Sequence, residues 1–109
     1  MNITKEELTK TLQYIDQLAD DDLQRVYDEY AAMSRNTSNK VKYCTELFNV
    51  AQRIKGMLAG IDFLLTDEEL VPVLNEYKDN LSTKYHKYKE LIGTDATRTF
   101  ELKRLGPSR

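Results

Sequence analysis

The chain has 109 residues, 40% of them hydrophobic and 31% charged, with a formal net charge of −2. These proportions exclude a disordered chain, and at this length roughly two thirds of the unfolded surface can be buried without a metal or disulfide. The single cysteine, Cys44, cannot make an internal bridge, which points to a reducing compartment, the cytoplasm by default.

The first element announces itself at Thr4. Thr4 with Glu7 has the spacing of a capping box, and Ile3 with Leu8 that of a hydrophobic staple. The early charges Lys5, Glu6 and Glu7 also predict that no signal peptide opens the chain. From there Leu8, Leu12, Ile15, Ala19, Leu23, Val26, Tyr30 and Met33 recur at helical spacing. The sequence "ADDDL", residues 19–23, complicates this helix, because aspartate is a poor interior residue and a good N-cap. The unbroken stripe favours one long helix, whereas Asp20, Asp21 and Asp22 favour two short ones.

A polar loop, "SRNTSN", occupies residues 34–39. The second helix follows from about Asn39 to residue 65, with an apolar stripe of Val41, Cys44, Leu47, Phe48, Ala51, Ile54, Leu58, Ile61 and Leu65. Its apolar run "GMLAGIDFLL" is too short to span a bilayer and contains Asp62, so no membrane association is expected. Thr66 with Glu69 offers a second capping box, and Leu65 with Leu70 a second staple. Pro72 would cost a backbone bond if it lay inside that helix, which predicts a short separate turn with the main helix restarting at Pro72.

In the third helix the stripe is Leu74, Tyr77, Leu81, Tyr85, Tyr88 and Ile92, and Gly93 is placed as its C-cap. The fold expected is all-α: an elongated antiparallel bundle of three long helices, or four if the first breaks near Asp20, Asp21 and Asp22. A short C-terminal tail, non-helical or frayed, completes it. Residues 1–93 form the bundle domain and residues 94–109 a basic tail.

The charge is unevenly spread. Residues 1–33 carry three basic and eight acidic side chains, residues 34–65 five basic and two acidic. Neighbouring segments of opposite sign can attract each other within the fold. The stretch "KYHKYK" gathers Lys84, His86 and Lys87, a conceivable phosphate contact. Its tyrosines, however, lie in phase with the leucines, and its lysines sit near the expected helix C-terminus, where positive charge is favourable.

Signals for catalysis are weak. Cys44 and His86 make a poor nucleophile and base pair, since Cys44 belongs to an apolar stripe. A metal-dependent all-α nucleotide hydrolase would need paired carboxylates on neighbouring helices. Glu76 with Asp79 supplies one pair, and no matching Glu pair accompanies it. No catalytic residue, cofactor or metal site is therefore expected.

Gly56 and Gly60 are harder to explain, because each costs a helix interior about 1 kcal/mol relative to alanine. With Asn49 and Phe63 they lie opposite the Ile54, Leu58 and Ile61 stripe. The second half of a broken first helix can fill this face; otherwise it is an interface for a partner or a second copy. In the tail, Arg98, Phe100, Leu102, Lys103 and Arg104 could dock in a partner's groove or touch phosphates. The leading expectation is a small non-enzymatic protein–protein interaction module, a regulator, inhibitor, adaptor or assembly component that binds another protein or itself. The alternative is a nucleic-acid-associated accessory protein using the basic tail and the lysine-rich helix end.

Overall fold

The computed structural model describes the backbone of residues 3–105 and the side chains of residues 3–94. Within them the chain forms three α-helices: α1 (Lys5–Ala31), α2 (Thr37–Leu64) and α3 (Val71–Leu105), with a 3-10 turn at Glu68–Leu70 before α3. The short connections fold the helices up, down and up, and each packs on the other two. The molecule measures 67 × 19 × 18 Å and its radius of gyration is 18.1 Å. A compact domain of this length would have about 13 Å, so this is an elongated bundle.

α1 starts as its sequence dictates. The Glu7 amide donates to Thr4 Oγ1 at 3.1 Å and the Thr4 amide donates to Glu7 Oε1 at 3.2 Å. This reciprocal cap is worth about 1 kcal/mol. Ile3 packs on the cluster that contains Leu8, as a staple requires. α1 then runs unbroken through the three aspartates, so the bundle has three helices rather than four. The reason is visible in their partners: Asp20 pairs with Lys84 of α3, Asp22 with Arg53 of α2, and Asp21 accepts from Gln17. Each carboxylate is held outside the helix backbone, which removes its tendency to cap a new helix.

The loop is shorter than expected. Asn36, not Asn39, caps α2, accepting from the Asn39 amide at 2.8 Å, and the Arg35 guanidinium donates to the Ala31 and Met33 carbonyls at the end of α1. At the next junction the expected Thr66 and Glu69 box is replaced by Asp67, which accepts from the Glu69 amide at 2.9 Å and opens the 3-10 turn. α3 follows directly at Val71, one residue before Pro72.

The core confirms the α1 stripe from Leu8 to Tyr30 and corrects its end, since Met33 is exposed. In α2 the stripe is rotated relative to the expectation: Tyr43 and Val50 are buried with Leu47, Ile54 and Leu58, whereas Val41 and Phe48 are exposed. α2 carries apolar side chains over much of its circumference, and the positions of α1 and α3 choose which arc is covered. Leu70 of the 3-10 turn and Leu74, Leu81, Tyr88 and Ile92 of α3 are buried, with Tyr77 and Tyr85 packed at the edge.

α3 does not stop at Gly93. The helix continues to Leu105, and none of the described glycines adopts the positive φ of a glycine C-cap. The lysines of "KYHKYK" therefore lie well inside α3, and a helix-end dipole does not account for them.

Candidate protein-interaction surface

The tyrosines of the lysine-rich stretch turn inward. Tyr88 donates its hydroxyl hydrogen to Gln24 Oε1 at 2.6 Å, with its ring 5.8 Å from that of Tyr27. Tyr30 in turn lies 5.9 Å from Tyr43, so four tyrosines tie the three helices together at one end of the bundle.

The basic residues around them separate. Lys84 reaches across to α1 and pairs with Asp16 at 2.8 Å and Asp20 at 3.0 Å. His86 is exposed beside the Tyr85 ring, and Lys87 sits over the Tyr88 ring at 5.4 Å from its centroid. Lys84 is thus committed to two carboxylates, while His86 and Lys87 each lie against an aromatic ring.

Burial alone would push the Lys84 ammonium down, but hydrogen bonds and charge attraction from Asp16 and Asp20 outweigh it and hold it above the ordinary 10.5. Tyr88 is also raised, above 10.0, first by burial and then by the Asp20 and Asp28 charges. Both groups bind their protons more tightly in the folded state. Their contribution to stability is complete below the unfolded-state values and is lost as pH rises through the folded ones. Urea midpoints should accordingly hold steady from neutral pH up to about 10 and then fall. Lys84→Met should flatten part of this alkaline limb and cost about 1 kcal/mol at neutral pH, as expected for partly exposed pairs. An unchanged alkaline limb would show that the Asp16–Lys84–Asp20 contact adds nothing.

Glu76 and Asp79 are both exposed on α3, and among the described residues no three His, Cys, Asp or Glu side chains gather where they could hold a metal ion. Cys44 is half-buried. Among the described residues no helix is long and apolar enough to cross a membrane. The side chains of Arg98, Phe100, Leu102, Lys103 and Arg104 lie outside those described; their backbone belongs to α3.

The glycine face is where the structure departs most from a self-satisfied bundle. Asn49, Gly56, Gly60 and Phe63 are all exposed, and Phe63 is 89% accessible. A Cβ placed on Gly56 or Gly60 would meet nothing within 4 Å. Because α1 is continuous and packs on the other side of α2, it does not fill this face, and the expectation of an internal filler fails.

Beside this face, toward α3, lies a feature the sequence did not expose. A groove of 280 Å³ runs along the α2–α3 seam, with Ala51, Leu58 and Leu81 along it and Lys55 and Lys78 among its lining. Phe48, 47% accessible, stands edge-on to Tyr85 at 6.4 Å and closes one end. Lys78 pairs with Asp62 at 3.0 Å. The signal available in the sequence was the small residues Ala51, Ala59 and Ser82 flanking the seam, which become meaningful only once α2 and α3 are placed together. Comparison of the chain with known protein families, curated proteins and solved structures found no match.

Proposed function

We propose that this protein is a non-enzymatic interaction module that docks on a larger protein, as a regulator, inhibitor, adaptor or assembly component. The observation that carries this reading is the open outer face of α2. A helix that buries one side in the bundle also presents Phe63 to solvent beside two glycines that nothing in the described fold covers, and exposed Phe48 at the neighbouring groove. Exposed aromatic side chains of this kind are typical of interface anchors. The groups that could serve other chemistry have internal work: Lys84 is neutralised by two aspartates and Tyr88 is bonded to Gln24. A lone half-buried thiol fits a reducing compartment, and the cytoplasm is the location we assign.

The test combines light scattering over a range of protein concentrations with crosslinking in extracts of the source cells, for the wild type and for Phe48→Ser with Phe63→Ser. A defined partner, or a second copy, should be crosslinked by the wild type and lost in the variant at unchanged helicity. Equal crosslinking by both would overturn the reading. Binding to an RNA or DNA oligonucleotide that weakens steeply with salt would favour the nucleic-acid alternative instead.

A further inference from the structure

We infer that the α2–α3 groove receives one amphipathic α-helix of a partner protein, with carboxylates flanking its apolar stripe; this rests on the interaction-module reading above. Three observations support the choice of occupant. The first is shape. Phe48 and Ala59 are separated by eleven positions on α2, about 16 Å or three helical turns at 1.5 Å per residue. That length suits apolar anchors at positions i, i+4 and i+7 of a docked helix.

The second is hydrogen bonding. Both walls are α-helices whose backbone groups are already paired, and the groove surface is mainly apolar. An extended peptide laid there would leave its own amides and carbonyls without partners, whereas a helix arrives with them satisfied. Ala51, Ala59 and Ser82 leave room for that helix to approach closely.

The third is charge. The chain is net acidic, yet the groove lining contains Lys55 and Lys78 and no carboxylate. Lys78 already shares its charge with Asp62, so Lys55 is the cation left for a partner: a helix with Glu or Asp beside its apolar stripe matches it, and one with Lys at that position meets like charge.

The experiment uses two stapled helical peptides about four turns long, with the same leucine and alanine stripe. One carries Glu at the flanking positions and the other Lys. Each is titrated into the isotopically labelled full chain while backbone amide shifts are followed. The Glu peptide should move the amides of Gln52, Lys55, Ala59 and Ser82 and bind about tenfold or more tighter than the Lys peptide. Lys55→Glu should erase or invert that preference, and Ala59→Trp, which fills the groove from an exposed position, should block binding with helicity unchanged. Equal binding of both peptides, no shifts with the Glu peptide, or shifts confined to other surfaces would overturn the inference. So would binding of a free long-chain carboxylate where neither peptide binds. Self-association that moves Gly60 and Phe63 while the groove amides stay still would uphold the interaction module and overturn the groove.

Discussion

Tyr30→Ala is expected to lower the unfolding free energy by about 3 to 5 kcal/mol, while Tyr14→Ala on the same helix changes it by less than about 0.5 kcal/mol. Tyr30 is fully buried, and its ring stands against Tyr27 and Tyr43 with the Arg35 guanidinium 5.3 Å from its centroid. It therefore joins α1, α2 and the loop between them. Truncation removes the aromatic contacts and leaves a cavity that rigid helices close only in part. Tyr14 is 71% accessible, so its loss removes little buried surface. A domain of this size has about 5 to 15 kcal/mol of stability in total, so Tyr30→Ala should take away a large fraction of it. Urea unfolding of the two variants side by side measures the difference. Similar effects from both would mean that the tyrosine cluster does not organise that end of the bundle.

Gly60→Ala and Gly60→Leu should separate stability from association. Gly60 lies within α2, and an added Cβ meets nothing within 4 Å. Alanine should raise stability by about 1 kcal/mol, because it limits the unfolded chain and introduces no clash. Leucine, also a good helix former, should keep most of that gain. If a partner's backbone approaches this face, leucine nevertheless blocks it, and affinity should drop at least tenfold, about 1.4 kcal/mol. Calorimetry reads the first effect, and crosslinking or light scattering the second. Association unchanged by leucine would remove the glycine face from the interface and leave the α2–α3 groove to be judged separately.

The contrast among the helices shows what could be read early. In α1 the apolar residues form one narrow stripe on an otherwise polar helix, so periodicity alone identified Leu8, Leu12, Ile15, Ala19, Leu23, Val26 and Tyr30 as core. The Thr4–Glu7 cap was equally legible, because all its atoms lie within one turn. For the candidate surface, sequence spacing put Asn49, Gly56, Gly60 and Phe63 on a common side of α2 and marked the two glycines as unexplained by helix chemistry.

Other features needed the third dimension. The continuity of α1 through Asp20, Asp21 and Asp22 rests partly on Lys84 and Arg53, cations that arrive from other helices. Which arc of α2 is buried was ambiguous because Tyr43 and Val50 compete with Val41 and Phe48, and only packing against α1 and α3 selects between them. The same selection leaves Phe48 at the mouth of the groove. By itself, then, the sequence determined the helical class, the α1 core and the first cap, since each depends on residues within a turn or two of one another. The tertiary structure decided the rotation of α2, the pairing of Lys84 and the existence of a lysine-lined seam, since these depend on side chains brought together from distant parts of the chain.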